Sequence, residues 1–261
     1  MQNVVLANIS TEILHQRYQI SDLLGEGGNG KTYRAFDQQA SKEVAIKILN
    51  TYGMPDWKTL ELFEREVKIL SQLDHPAIPR YLDFFRATIA GNETLCLVQE
   101  IAPGRTLSGR TLSGWIDAGH VFTEARLQNI AEKVLEILQY LQSFAPPIIH
   151  RDIKPQNILL TGTGEIYLVD FGAVRDTYNL TITGGSTIVG TYGYMAPEQT
   201  RGQAVLATDL YGLGTTLLYL KAGVDPAYLP VKQMKIDFQK SLKFSPTLAG
   251  RFIRTISRRS L

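Results

Sequence analysis

The feature that most constrains this 261-residue chain is a change of pattern after Pro103. Before it, short segments rich in β-branched and aromatic residues alternate with Gly, Asp and Gln turns, which is typical of closely spaced antiparallel strands. After it, apolar residues recur at helical spacing from Leu127 to Leu141, with Thr123 placed to cap the start. The pattern predicts an α+β chain with a small antiparallel β-sheet lobe and a larger helical lobe.

We expect a lead-in at residues 1–17, a strand lobe at 18–102 and a helical lobe at 103–261. The predicted strands of the first lobe are Tyr18–Leu24, Thr32–Phe36, Glu43–Leu49, Arg80–Phe85 and Thr94–Ile101, with one amphipathic helix at Lys58–Leu73. The predicted elements of the second lobe include a hairpin of Ile158–Leu160 with Ile166–Val169 and a buried helix over Ala204–Leu220.

The segment Gly104–Ser108 is repeated at once as Gly109–Ser113. Five residues are too few for a repeat unit of a solenoid. We interpret the repeat as an insertion in a surface loop, where added length costs little free energy.

Composition narrows the class of protein. The 27 basic residues nearly balance the 25 acidic residues, which gives no basic footprint for nucleic acid. The single cysteine, Cys96, lies in an apolar run and is expected to be buried, which fits a reducing compartment. No secretory signal precedes Tyr18, and no uncharged apolar run reaches the roughly 18 residues of a membrane span. We therefore expect a cytoplasmic location and no membrane span.

Two segments of the first lobe suggest phosphate binding. Gly25–Gly30 has the pattern G-x-G-x-x-G between two strands, and glycine backbones can approach phosphate oxygens closely. A plain flexible hairpin turn explains the same glycines. Lys47 ends an apolar strand, where its ammonium either reaches solvent or meets a negative charge. Glu66, on the buried side of the predicted helix, is the acid that could hold it.

The segment His150–Asn157 carries the strongest signal. It matches H-R-D-x-x-x-x-N and holds a carboxylate, an ammonium and an amide within six residues. Such a loop suits phosphoryl transfer, because Asp152 can accept a hydroxyl proton, Lys154 can neutralise phosphoryl charge and Asn157 can bind a metal ion. Asp170, at the end of the next predicted strand, can chelate Mg²⁺.

These motifs occur in a fixed order that continues with Ala196-Pro197-Glu198. In that order the chain resembles the eukaryotic-type protein kinases, from about Tyr18 to at least Leu220. The phrases GEGGNGKTYRAFD and GTYGYMAPEQ are similar to those of cyanobacterial serine/threonine kinases. The resemblance implies a bilobal protein-kinase-like fold and transfer of the γ-phosphate of ATP to protein serine and threonine hydroxyls.

The resemblance also implies a role for each matching residue. Asp152 would be the catalytic base, Lys154 would stabilise the transferred phosphate, and Lys47 with Glu66 would form the activating ion pair. The residues that would contact ATP are Gly25, Gly27, Gly28, Gly30, Ala45, Lys47, Gln99, Glu100, Ala102 and Leu159.

Four more positions match the family. Asn157 and Asp170 would bind Mg²⁺, with Mn²⁺ as an alternative ion. Asp209 is similar to the helix aspartate that anchors the catalytic loop, and Thr191 to the substrate-loop threonine.

Arg151, next to the predicted base, is similar to the arginine of kinases that are regulated by activation-loop phosphorylation, because a phosphate can pair with it. We expect autophosphorylation within residues 173–191. The candidate acceptors are Thr181, Thr183, Ser186 and Thr187.

The chain departs from the family in two places. Thr32 stands where a valine is usual. After Asp237-Phe238 no arginine appears in a context that would pair with Glu198, so we expect a shortened C-terminal lobe, as a truncated or frameshifted gene would produce, and a Glu198 without its partner.

Two alternatives remain open from the sequence. One is a pseudokinase or regulatory scaffold, favoured only by the shortened lobe. The other is a small-molecule phosphotransferase, against which the glycine loop, HRD-x-K and APE together favour protein substrates. The expected partners are ATP and a protein substrate, without nucleic acid.

Overall fold

The computed structural model describes residues 13–27, 30–50, 57–89, 91–102, 109–176, 190–232 and 235–236. The chain divides into two compact units, Met1–Arg105 and Thr106–Leu261. An antiparallel sheet dominates the first unit and helices are prominent in the second, which confirms the predicted α+β class.

The first unit is an antiparallel sheet with one helix. Its strands lie in the order β1-β2-β3-β4-β6-β5, and every neighbouring pair is antiparallel. The elements are β1 (Ile13–Leu14), β2 (Tyr18–Gly27), β3 (Gly30–Asp37), β4 (Lys42–Asn50), α1 (Trp57–Leu70), β5 (Tyr81–Ile89) and β6 (Asn92–Glu100). All five predicted strands are present, and the helix ends at Leu70 rather than Leu73.

The core of this sheet lies on one face because side chains alternate along each strand. Val44, Ile46 and Ile48 of β4 point into it, whereas Ala45 and Lys47 lie on the opposite face. The buried cluster comprises Leu14, Tyr18, Ile20, Tyr33, Ala35, Val44, Ile46, Ile48, Phe85, Ile89, Cys96 and Val98. Cys96 is fully buried, as predicted, and loss of solvation raises the pKa of its thiol to about 12.

The second unit combines short strand pairs with three helices in its described part. The elements are β7 (Gly109–Thr111), α2 (Leu112–Asp117), α3 (Glu124–Gln142), β8 (Ile148–Ile149), β9 (Ile158–Thr161), β10 (Ile166–Leu168), β11 (Arg175–Asp176), α4 (Leu206–Ala222), β12 (Val231–Lys232) and β13 (Lys235–Ile236). Strand β9 pairs with both β10 and β7, and the other pairs are β11 with β8 and β12 with β13. Within the ranges described above, no helix is both long and apolar enough to cross a membrane.

Helix α3 begins where the sequence predicts. The Thr123 side chain accepts a hydrogen bond from Arg126 N at 3.3 Å, which satisfies one of the free N–H groups at the helix start. The apolar stripe of α3 is buried, and it includes Leu127, Ile130, Val134, Ile137, Leu138 and Leu141.

The second copy of the five-residue repeat is not a surface loop, so that interpretation is wrong for Gly109–Ser113. Strand β7 pairs along β9, with Thr111 opposite Leu159. Thr111 also caps α2 by accepting from Gly114 N at 3.0 Å, and Leu112 is fully buried. These residues are ordered because β7 hydrogen-bonds to β9 and because Leu112 occupies a core position. The first copy lies outside the described residues.

Candidate active site

In the first unit, a buried ion pair joins the sheet to its helix. Lys47 Nζ, in β4, donates to both carboxylate oxygens of Glu66, in α1, at 2.8 and 2.7 Å. Lys47 is 8% exposed and Glu66 is 1% exposed. The ion pair predicted from the sequence is therefore present, and each charge depends on the other because water cannot solvate either one well.

The strand register aligns the predicted phosphate-binding glycines with this lysine. Gly25 of β2 pairs with Thr32 of β3, and Thr32 pairs in turn with Lys47. Gly27 pairs with Gly30, so the glycine segment continues the hairpin instead of opening a helix. Gly30 has a φ of 122°, and a Cβ there would collide with the carbonyl of Ile48, so this position requires glycine.

The predicted adenine contacts of the first unit lie along β4, β6 and the segment after β6. Ala45 pairs with Gln99, and Gln99 Nε2 donates to Pro79 O at 3.2 Å. Glu100 lies at the end of β6 with its carboxylate 3.6 Å from Lys42 Nζ, and Ala102 is buried. Gly28 is outside the described residues.

In the second unit, a threonine hydroxyl lies between the predicted base and the predicted phosphate-stabilising lysine. Thr191 Oγ1 donates to Asp152 Oδ1 at 3.0 Å and accepts from Lys154 Nζ at 2.8 Å. Lys154 Nζ also lies 2.7 Å from Asp152 Oδ2. The carboxylate and ammonium groups are thus arranged to bind one hydroxyl oxygen together.

The hairpin of β9 and β10 brings the predicted metal ligands to the same end. Ile158 pairs with Leu168, and Val169 N donates to Asn157 O at 2.9 Å, so Asn157 and Asp170 flank one end of this hairpin. Asn157 Nδ2 donates to the Asp152 backbone carbonyl at 2.9 Å and to Asp152 Oδ2 at 3.0 Å. Its amide oxygen therefore points away from Asp152.

These oxygen donors fit Mg²⁺, which prefers carboxylate and amide oxygens over nitrogen and sulfur. Asp170 has a φ of 62°, an uncommon backbone conformation for a residue with a side chain. Leu159, predicted to contact adenine, follows in β9 and is buried.

A buried aspartate of α4 holds the backbone of the catalytic loop. Asp209 accepts from His150 N at 2.8 Å and from Arg151 N at 2.7 Å. Burial raises the pKa of Asp209 to about 6, and these two N–H donors oppose that rise because they favour the charged carboxylate. The predicted anchor role of Asp209 corresponds to these two contacts.

His150, two residues before Asp152, is fully buried. Burial lowers the pKa of His150 to about 4, although the charges of Asp152 and Asp170 act in the opposite direction. A neutral imidazole retains an acceptor nitrogen, and Asp152 N donates to His150 Nδ1 at 3.3 Å. The His150 ring also meets the edge of Phe171, with 4.8 Å between ring centroids.

The structure adds three contributors that the sequence reasoning missed. Thr208 Oγ1 donates to Glu198 Oε1 at 2.9 Å, so Glu198 has a hydrogen-bond partner in α4. The expected lack of an arginine partner concerns the tail, which is outside the described residues. Gln199 Nε2 donates to Arg151 O at 2.6 Å. Gly212 of α4 lies so close to the catalytic loop that a Cβ would be 2.8 Å from Ile153 O. No local pattern signals these contacts, because each partner is distant or inconspicuous in the sequence.

Three predictions lie outside the described residues. They are the candidate phosphorylation sites Thr181, Thr183, Ser186 and Thr187, the shortened tail at 238–261, and the lead-in up to residue 12.

The first unit holds a lysine fixed by a buried glutamate, and the second unit holds a carboxylate, an ammonium group and an amide close together. Groups of these types are the ones that phosphoryl transfer uses. Residues 18–258 match the protein kinase domain. The chain belongs to the protein kinase domain family.

Its relatives include two cyanobacterial kinases of Synechocystis and one of Nostoc. The chain is 34% identical over 255 residues to serine/threonine-protein kinase C of Synechocystis sp., a match that covers 91% of this chain and 45% of that protein. It is 34% identical over 262 residues to serine/threonine-protein kinase PknA of Nostoc sp., covering 94% and 44%. It is 37% identical over 217 residues to serine/threonine-protein kinase D of Synechocystis sp., covering 78% and 40%. The chain spans less than half the length of these curated relatives.

Proposed function

We propose that this chain is a serine/threonine protein kinase domain that transfers the γ-phosphoryl group of ATP to serine and threonine hydroxyls of a protein. The Thr191 hydroxyl carries the proposal, because it lies within hydrogen-bonding distance of both Asp152 and Lys154. The hydroxyl of a substrate serine or threonine can make the same two hydrogen bonds that the Thr191 hydroxyl makes. ATP is then the co-substrate, which fits the cytoplasmic location expected from the sequence.

In this mechanism Asp152 accepts the proton of the acceptor hydroxyl. The acceptor oxygen forms a bond to the γ-phosphorus as the bond to the β–γ bridging oxygen breaks, and ADP leaves. The Lys154 ammonium neutralises charge on the transferred group. The hydrogen bonds from Asn157 to Asp152 keep the carboxylate oriented toward the hydroxyl.

Asn157 and Asp170 would hold Mg²⁺, or Mn²⁺ with the same oxygen donors, and the ion would neutralise phosphate charge. Lys47, fixed by Glu66, would bind the α- and β-phosphates. The remaining ATP contacts would come from Gly25, Gly27, Gly28, Gly30, Ala45, Gln99, Glu100, Ala102 and Leu159.

The alternative of a scaffold without turnover has no support among the described residues. Lys47 is paired with Glu66, and Asp152 is in contact with both Lys154 and Asn157. A small-molecule phosphotransferase is equally without a specific observation in its favour. The relatives above carry serine/threonine-protein kinase names, which supports protein substrates.

The proposed regulation is phosphorylation within residues 173–191, at Thr181, Thr183, Ser186 or Thr187. Arg151 supports it, because its Nε donates to Ala173 O, at the start of that segment. Incubation with Mg-ATP followed by mass spectrometry tests this point. A segment that stays unmodified while a protein substrate is phosphorylated would refute the regulation alone.

The experiment for the activity is transfer of radiolabelled γ-phosphate from Mg-ATP to a generic basic protein. Asp152→Asn should lower the rate by about 10²–10⁴-fold, the usual contribution of a catalytic base. Asp117→Asn is the matched control, since Asp117 is an exposed aspartate at the end of α2 in the same unit. A folded wild-type chain that binds ATP without transferring phosphate would favour the scaffold instead.

A further inference from the structure

Gln199 is a buried amide with no role in the mechanism above. It follows Glu198 directly, is 2% exposed, and donates from Nε2 to the backbone carbonyl of Arg151 at 2.6 Å. This hydrogen bond joins two segments that are far apart in the sequence. In a buried site no water can replace it, so the bond holds the two segments at a fixed distance.

The carbonyl that Gln199 holds belongs to a backbone in an unusual conformation. Arg151 has a φ of 66°, in the left-handed region that is disfavoured for residues with a Cβ. Such a conformation persists only where its surroundings impose it. Asp209 holds the N–H of Arg151 at 2.7 Å and Gln199 holds its carbonyl, so this residue is fixed on both sides.

The Arg151 carbonyl and the Asp152 N–H belong to one planar peptide group. Gln199 binds one edge of that plane, and His150 Nδ1 accepts from Asp152 N on the other edge at 3.3 Å. The orientation of this plane sets the direction in which the Asp152 side chain leaves the backbone. Gln199 therefore acts on the proposed base through the peptide group.

Gln199 also touches the segment that carries the bound hydroxyl. A Cβ at Gly190 would lie 2.5 Å from Gln199 Nε2 and 3.3 Å from Arg151 O, so the Gly190 backbone rests against both. The next residue, Thr191, makes the hydroxyl contacts to the catalytic loop. The same amide thus contacts both segments.

We propose that Gln199 is a positioning residue that orients the Arg151–Asp152 peptide and sets its spacing from Gly190 and Thr191. This inference rests on the proposed kinase function. Loss of the amide donor should lower kcat and leave ATP affinity nearly unchanged, because the Gln199 amide is bonded to the loop that carries the proposed base.

The test compares Gln199→Met, which keeps the length of the side chain and removes the donor, with Gln203→Met, the same change at an exposed position nearby. Rates are measured with Mg-ATP and a generic basic protein, and ATP binding is measured separately by calorimetry. Gln199→Met should lower kcat by about 10–100-fold, the scale expected of a misplaced catalytic group. The KM for ATP and the Kd for ATP should change by less than about twofold, and Gln203→Met should match wild type.

Gln199→Glu provides a second, pH-dependent readout that also holds if Gln199→Met does not fold. An ionised carboxylate cannot donate to the Arg151 carbonyl, whereas a protonated one can. Activity relative to wild type should therefore recover as pH falls from about 8 to about 6, since burial favours the protonated form. A purely structural role would instead make the folded fraction of Gln199→Glu follow the activity, and circular dichroism over the same pH range measures that fraction.

Either of two results would overturn the inference: a folded Gln199→Met with kcat within about twofold of wild type, or a Gln199→Glu to wild-type ratio that does not change with pH. A wild-type chain that binds ATP but transfers no phosphate contradicts the proposed function itself, and the inference with it.

Discussion

Replacing Lys47 with methionine should destabilise the first unit by about 3–5 kcal/mol at pH 7, because it leaves Glu66 charged in a buried site. Glu66 is only 1% exposed and loses two hydrogen bonds of 2.8 and 2.7 Å. The variant can escape this cost only by protonating the carboxyl. For an ordinary glutamate with a pKa of about 4.3, that costs about 4 kcal/mol at pH 7 and about 1 kcal/mol at pH 5.

The destabilisation should therefore shrink to about 1 kcal/mol at pH 5, since protonation becomes cheap there. Urea unfolding followed by circular dichroism measures the loss, and hydrogen exchange of peptides from β4 and α1 assigns it to the first unit. The matched control is Lys42→Met in the same strand. Lys42 is 45% exposed and lies 3.6 Å from the Glu100 carboxylate, so the loss there should stay below about 1 kcal/mol.

The double variant Lys47→Met with Glu66→Leu, compared with each single variant, completes a double-mutant cycle. Removing both charges should recover most of the stability lost in the single variant, while phosphate transfer stays absent in both. The reasoning is refuted if Lys47→Met unfolds at the wild-type urea concentration. It is equally refuted if the double variant is no more stable than the single one, or if the loss is the same at both pH values.

Three further predictions concern stability and the catalytic loop. Asp209 has a folded pKa of about 6, above the ordinary 3.8, so its contribution to stability falls as pH rises through that range. The urea midpoint of Asp209→Asn should therefore rise relative to that of wild type as pH rises through the same range. Parallel pH profiles of the two midpoints would contradict this. Arg17 donates to both oxygens of Asp37 at 2.8 and 2.7 Å and lowers the pKa of Asp37 from 3.8 to about 2. Arg17→Met should therefore cost about 2 kcal/mol at pH 7, with the difference vanishing as pH falls through that range; a loss that is equal at pH 7 and in acid would argue against the pair. Gly212→Ala places a Cβ 2.8 Å from Ile153 O, so it should cost about 1–3 kcal/mol by thermal unfolding and lower the rate of phosphate transfer; an unchanged rate would mean that the loop tolerates the shift.

The positions of the strands and helices could be predicted because they depend on nearby residues. Val44, Ile46 and Ile48 alternate with outward-facing positions of β4, and that alternation is visible without any tertiary contact. Strand ends were less predictable. Strands β2 and β3 continue into the glycine segment because Gly27 pairs with Gly30, and pairing depends on the partner strand as much as on local sequence.

The residues of the candidate site were likewise predictable only in part. Asp152, Lys154 and Asn157 stand close together in sequence, so their types and spacing already pointed to phosphoryl transfer. The repeat at Gly109–Ser113 was wrongly predicted to be a surface loop. Its first three residues form a strand because they pair with the edge of β9, which the local sequence does not reveal.

By itself, the amino-acid sequence determined the two kinds of architecture, the identity of the reactive groups and the pairing of Lys47 with a helix glutamate. The resemblance also implied that Asp209 anchors the catalytic loop, but only the tertiary structure decided which atoms hold that loop. Asp209 and Gln199 reach Arg151 across 58 and 48 positions of the chain, and Thr208 meets Glu198 across 10. Buried polar groups must find partners wherever packing brings them, and no periodicity along the chain records which partner that will be.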